Sequence, residues 1–274
     1  MHTVNRWRSA DVYFSHETDS VAPEEKLNIR HCHSTYEILF VVGGEGRYLV
    51  EGSEYLLCPG TLMLFRPTEY HSVTVSGRVP YERYVIHFPA SSVIPSAAAF
   101  LSAMEAHGDE KGSLFYPATA TSHTLMSVFA RMEAADRIPT DKRDVYIEAL
   151  LSEIIVLLST ADASRLSPDG EELAVRVLRY INENLDKDIS LDALARRFFV
   201  SKYYLCRAFR KRHGVSVHGY ITHKRVMYAK QLIEAGEAAS AAAYRVGFGD
   251  YSAFYRAYFK INGESPIACA KKGT

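Results

Sequence analysis

The chain is poor in cysteine. Of its 274 residues only Cys32, Cys58, Cys206 and Cys269 are of this type. They form no CxxC pair and no framework spacing, which excludes a disulfide scaffold and predicts free thiols in a reducing compartment. Long hydrophobic runs are missing too: no stretch approaches the roughly 20 apolar residues of a membrane span. The opening Met1-His2-Thr3-Val4-Asn5-Arg6-Trp7-Arg8 has no apolar h-region, so no secretory signal is expected and the predicted location is the cytoplasm. Net charge is also absent, with 32 basic and 32 acidic residues, which at first argues against a nucleic-acid partner. The halves differ, however. From Glu171 onward 18 Lys and Arg stand against 10 Asp and Glu, a balance of +8, and the remainder carries −8. Such asymmetry predicts a basic nucleic-acid module joined to an acidic partner domain. What is plentiful is apolar residues, 47% of the chain beside 23% charged. That suffices for a sizeable core, and the length suits about two domains.

The last hundred residues repeat one pattern. The first copy runs from Leu191-Asp192-Ala193-Leu194-Ala195 through Val200-Ser201 to Leu205, Phe209 and Gly214. The second runs from Ala242-Ala243 through Val246-Gly247-Phe248 to Phe254, Tyr258 and Gly263-Glu264-Ser265-Pro266. Each is a short helix with a small Ala, a tight break, then a helix with apolar anchors at i and i+4. This is the pattern of a helix-turn-helix, whose second helix enters the DNA major groove. Two in one chain predict a reader of two neighbouring groove segments. Ser190 and Ser201 stand where N-caps are needed. With Leu205, Ala208 and Phe209 turned inward, Lys202, Tyr203, Cys206, Arg207 and Arg210 face outward. In the second unit Tyr251, Ser252, Ala253, Tyr255 and Arg256 do so. Arg pairs bidentately with guanine, and Tyr packs on a thymine methyl. Ser201, Arg210, Lys211, Lys224 and Lys260 are expected on phosphates, which position without reading. The Ala-rich segment Ala238 to Ala243 lacks larger aliphatics, so the second unit is expected to be the less stable.

From Glu171 to Lys272 the chain resembles the AraC/XylS family of transcriptional regulators. The resemblance rests on Leu194-Ala195, Ser201, Leu205, Arg207 and Phe209, then Gly214, Arg225, Ala229, Leu232, Val246-Gly247-Phe248, Phe254, Arg256, Gly263 and Ser265-Pro266. It implies base-facing roles for Tyr203, Cys206, Arg207, Ser252, Ala253 and Arg256. It also implies double-stranded promoter DNA and RNA polymerase as partners. Cys269 and Ala270 depart from the family pattern, as do Ala239 and Ala242.

Before this module, residues from about Leu27 to Phe88 read as short strands between Gly and Pro turns, which suggests an all-β sandwich or barrel. Helices are predicted at 97–106, 122–135 and 141–160. The apolar stripe of the third is wide enough to serve a second subunit, so a homodimer is expected. Ser164 to Gly170, broken by Pro168 and Gly170, reads as a linker. The expected fold is therefore an α+β multidomain chain. A cupin-like β-barrel with a helical dimerisation segment (1–163) precedes the linker (164–170) and an all-α double helix-turn-helix (171–274).

The strand region also resembles the family's cupin-like sensor barrel, through His31-x-His33, Glu37, Gly43, Gly60, Pro67 and His71. Side-chain alternation puts His31, His33 and Glu37 on one face, with His71 from a paired strand. These four could bind Zn, Fe, Mn or Ni, or serve as a hydrogen-bonding wall without metal. For an organic effector the pocket candidates are Tyr36, Glu37, Tyr48, Arg66, His71, Tyr84 and His87. The expected function is a non-enzymatic DNA-binding regulator with a small-molecule sensor. The alternatives are a metal-dependent cupin enzyme carrying a DNA-binding domain, and an architectural DNA binder without a ligand.

Overall fold

The computed structural model describes residues 2–9, 11–20, 31–51, 53–76, 79–106, 114–161, 173–187 and 189–270. The expected linker at 164–170 and the predicted start of the strand region at Leu27 lie outside them. The chain divides into two compact units, Met1–Pro168 and Asp169–Thr274.

The first unit is built on nine strands. They are β1 (His2–Ser9), β2 (Val12–Asp19), β3 (Tyr36–Gly43), β4 (Glu45–Val50), β5 (Ser53–Leu57), β6 (Leu62–Phe65), β7 (His71–Ser76), β8 (Tyr81–Phe88) and β9 (Leu114–Tyr116). A six-stranded sheet of order β1-β2-β8-β3-β6-β9 faces a three-stranded sheet of order β5-β4-β7. All these pairings are antiparallel. The β3–β4 corner needs glycine: Gly44 has φ +84°, and a Cβ there would lie 2.9 Å from the Tyr81 Cα. Between the sheets lies a core of Leu39, Val41, Tyr48, Val50, Tyr55, Leu57, Met63, Phe65, Val73, Val75, Tyr81, Val85 and Phe115. This is the cupin-like barrel interior.

Strand residues of opposite parity on the larger sheet meet the helices α1 (Pro95–Ala106), α2 (Ala120–Glu133) and α3 (Thr140–Thr160). Phe40 and Tyr84 stack on Phe129 of α2, with ring centroids 5.0 and 5.2 Å apart. The Trp7 indole donates to the Met132 carbonyl. The apolar stripe of α3 is consumed here: Ile147, Leu150, Leu151, Ile154, Ile155 and Leu158 are all buried within this unit's own core. Each such burial contributes about 1.5–3 kcal/mol. Only Val145 and Val156 are left as exposed large apolar side chains on this helix.

The second unit contains α4 (Leu173–Glu183), α5 (Leu191–Arg197), α6 (Lys202–His213), α7 (Val217–Glu234), α8 (Ala239–Arg245), α9 (Tyr251–Asn262) and α10 (Pro266–Ala270). The expected caps are present. Ser190 accepts from the Ala193 amide and Ser201 from the Tyr204 amide, while Asp250 accepts from Ser252 and Ala253. Helices α6 and α9 both end in a left-handed glycine, Gly214 and Gly263, each at φ +72°. Ala242 and Ala243 are fully buried against Val226, Ala229, Phe254 and Tyr258.

Candidate effector site and DNA-reading surface

At the end of the barrel where β3 and β7 begin and β8 finishes, four side chains converge. One ligand atom from each of His31, His33, Glu37 and His71 lies within 4.8 Å of the others. Backbone pairing builds the cluster: His31 and His71 exchange N–H···O bonds of 3.1 and 2.9 Å. Glu37 Oε2 stands 3.1 Å from His33 Nε2 and 3.2 Å from His71 Nε2. Neither Glu37 Oε2 nor the His71 Nε2 facing it makes a well-directed hydrogen bond, although both are buried. His71 Nδ1 meets the Glu69 carbonyl at 2.9 Å. A carbonyl only accepts, so Nδ1 carries the proton and Nε2 presents its lone pair to the cluster when the ring is neutral.

The electrostatics are those of a coupled nest. Burial raises the Glu37 carboxyl, but the charge on His71 and the His33 and His71 contacts hold it well below the ordinary carboxylate range. His71 is opposed by its own burial, yet Glu37 lifts it above the usual imidazole value. His87, whose ring centroid lies 4.4 Å from that of His33, is pushed down to about 4, chiefly by burial. Three imidazoles and one carboxylate form a donor set suited to borderline divalent cations.

The expected pocket is only partly assembled. Glu37, Tyr48, His71 and His87 share the interior, with the Tyr48 ring 6.3 Å from that of His71. Tyr36 and Tyr84 do not join them. Strand alternation turns both to the helix-covered face, where Tyr36 stacks on Phe88 and the Tyr84 hydroxyl donates to Glu133. Arg66 pairs with Glu69 of its own turn at 2.7 Å.

A polar group absent from the sequence reading lies deeper in the same interior. Arg83 donates to Glu17 at 2.6 Å and to Asp19 at 2.8 Å, with all three buried. Ser15 donates to the other Glu17 oxygen. On the outer face His16 bridges Glu82 and Glu133 at 2.7 and 2.9 Å. No spacing rule finds these residues, because their partners come from other strands and from α2.

On the second unit Lys202, Tyr203, Arg207, Arg210 and Lys211 are exposed on or beside α6, and Cys206 is half-buried. Lys202 pairs with Asp192 at 2.8 Å. Tyr204, not among the expected contacts, is 56% exposed. On α9, Ser252, Tyr255, Arg256 and Lys260 are exposed and Ala253 is half-buried. Tyr251 instead packs on Phe254 and its core. Ser201 is exposed, its hydroxyl oxygen occupied as the α6 cap. Lys224 corrects an expectation: at 5% exposure, on the inner side of α7 near the Tyr220 ring, it is out of reach of a phosphate. Its neighbour Arg225 has a structural task. It donates to the carbonyls of Leu185, Lys187 and Gly247, tying the approach to α5 to the turn before α9.

A sensor barrel and two helix-turn-helix units in one chain define a one-component transcription regulator, and comparison with known proteins agrees. Residues 22–167, more than half the chain, match the model of the AraC-like ligand binding domain. Residues 194–272 match a helix-turn-helix domain. The chain belongs to the AraC family. It is 25% identical to the uncharacterised HTH-type transcriptional regulator YbfI of Bacillus subtilis, over 81% of this chain and 79% of that one. It is 22% identical to the HTH-type transcriptional activator RhaS of Salmonella arizonae, over 82% and 81%. Among solved structures it is similar to ToxT of Vibrio cholerae (13% identity, 95% and 99% covered, TM-score 0.40). It is also similar to the AraC-like transcriptional activator CuxR (13% identity, 88% and 83% covered, TM-score 0.43). Among the described residues no helix is long and apolar enough to cross a membrane.

Proposed function

We propose that this regulator senses its effector through a divalent metal ion held by His31, His33, Glu37 and His71, and reads DNA through α6 and α9. The observation that carries the sensor half is the convergence of four ligand atoms within 4.8 Å. The ion would supply a Lewis-acid anchor for an oxygen or nitrogen donor of the effector. Zn, Fe, Mn and Ni all suit the donor set. Tyr48 and His87 would line the space beside it. Residues 1–163 act as sensor, 164–170 as linker and 171–274 as reader. Lys202, Tyr203, Cys206, Arg207, Ser252, Ala253, Tyr255 and Arg256 face bases, with Arg210, Lys211 and Lys260 on phosphates. Effector binding shifts the population of arrangements able to span both half-sites. The chain acts in the cytoplasm, without enzymatic turnover, as a homodimer that engages RNA polymerase. Since the α3 stripe is consumed internally, dimer contacts fall to exposed groups such as Phe100, Val145 and Val156.

The test is thermal unfolding of chelator-treated protein with each metal added singly. An ion that binds only the folded chain raises the midpoint by an amount equivalent to about 2.7 kcal/mol at a hundred times its dissociation constant. His71→Ala and Glu37→Gln should abolish that rise. A rise that survives both substitutions would contradict the site. No rise with any metal would leave an organic effector held by the same polar wall, and stoichiometric metal with turnover would favour an enzyme.

A further inference from the structure

The two helix-turn-helix breaks are built alike, bond for bond. In the first, the amides of Phe198, Phe199 and Val200 donate to Leu194, Arg196 and Ala195. In the second, those of Val246, Gly247 and Phe248 donate to Ala242, Tyr244 and Ala243. Phe199 therefore occupies the position of Gly247. Both are left-handed, at φ +56° and +92°. Glycine adopts this conformation freely, whereas a residue with a Cβ meets steric opposition. The phenylalanine at this strained position is 94% exposed. It thus lacks both usual reasons for an aromatic side chain: the core does not use it, and the backbone disfavours it. Strain of this kind concentrates where function holds a residue in place.

Its surroundings indicate what it meets. Exposed Arg196 and Arg197 precede it, and exposed Lys202 and Tyr203 follow it at the start of α6. Arg197 lies over the Tyr180 ring and Lys202 pairs with Asp192. An exposed apolar ring flanked in sequence by cations suits a polyanion that also offers carbon surface, as the edge of a DNA groove does with its thymine methyls and deoxyribose. We infer that Phe199 is a further DNA-contacting residue, its ring packing on apolar carbon at the edge of the groove that α6 enters. This rests on the DNA-reading role of α6 proposed above.

The test uses the full chain and an operator selected by it from random duplexes, with Phe199→Gly, Phe199→Asn, Phe199→Tyr and Arg207→Ala compared. Gly and Asn tolerate the left-handed backbone, so neither should lower the thermal midpoint. Both should weaken operator binding by about tenfold, equivalent to about 1.4 kcal/mol. The slope of affinity against salt should be unchanged, because no phosphate charge is involved. Phe199→Tyr keeps the ring and should bind like the parent. A uracil-for-thymine scan then separates the two carbon sources. One position whose methyl matters to the parent but not to Phe199→Gly identifies a thymine; equal response at all positions identifies sugar. Unchanged affinity in Phe199→Gly overturns the inference, and unchanged affinity with lost promoter output assigns the ring to a protein partner instead. If Arg207→Ala also binds like the parent, or no sequence is selected, the role of α6 has failed and this contact falls with it.

Discussion

Arg225 Nη1 donates to the Gly247 carbonyl at 2.8 Å, and a Cβ on Gly247 would lie 2.7 Å from Arg225 Nη2. One guanidinium thereby links α7 to the second break, while its other nitrogens hold Leu185 and Lys187 ahead of α5. Gly247→Ala meets opposition twice, from its φ of +92° and from the guanidinium. It should destabilise the second unit by about 1–2 kcal/mol from the backbone alone. Denaturant unfolding reads this. Arg225→Lys, which cannot span three carbonyls with a point-like ammonium, should resemble it.

Arg83 is the counter-charge of two buried carboxylates. Arg83→Met should cost about 3–5 kcal/mol, since it leaves Glu17 and Asp19 buried and uncompensated. Adding Glu17→Gln and Asp19→Asn to Arg83→Met should recover much of the loss. Thermal unfolding of the three proteins checks it, and a triple variant no more stable than Arg83→Met would contradict the pairing.

His223 of α7 is pushed down to about 4, first by burial and then by Lys224. The unfolded value is about 6.5. A depressed histidine takes up its proton more readily when unfolded. Its contribution is therefore fully present above pH 6.5 and is lost as pH falls towards 4. The loss is at most about 3–4 kcal/mol. His223→Gln should flatten that part of the stability–pH curve, measured between pH 4 and 7.

The second helix-turn-helix closes its core with Ala242 and Ala243 where the first uses Leu194 and Ala195. A methylene contributes about 0.8 kcal/mol when buried. Amides of α8 and α9 should therefore exchange with deuterium sooner than those of α5 and α6. Equal protection would contradict the expectation.

Helical periodicity exposed α3 and the reader helices, because their apolar faces meet neighbours close in sequence. The strands between β3 and β8 were legible from their Gly and Pro turns. β1 and β2 were not. Ser15, His16, Glu17 and Asp19 give β2 a surface-like composition, and its burial depends on Arg83, Glu82 and Glu133 from distant elements. Alternation along one strand points to His31, His33 and Glu37 of the four-residue cluster. The four do converge, but β3 begins only at Tyr36, and His31 is brought in by its isolated bridge to His71 ahead of a bend at Ser34-Thr35. Tyr36 and Tyr84 were misplaced where parity was not applied. The stripe on α3 suggested a partner subunit, yet α1, α2 and the sheet consume it. Lys224 looked like a phosphate contact by charge, and only the packing around α7 shows that it is buried.

Whether α6 and α9 both contact bases is read by selecting binding sites for the full chain from random duplexes. The expected site has two motifs about one helical turn, 10–10.5 bp, apart. Arg207→Ala should relax one motif and Arg256→Ala the other, each by about 1–3 kcal/mol of discrimination. Weak, strongly salt-dependent binding with no enriched sequence would contradict it, leaving the basic half as a holder of phosphates alone.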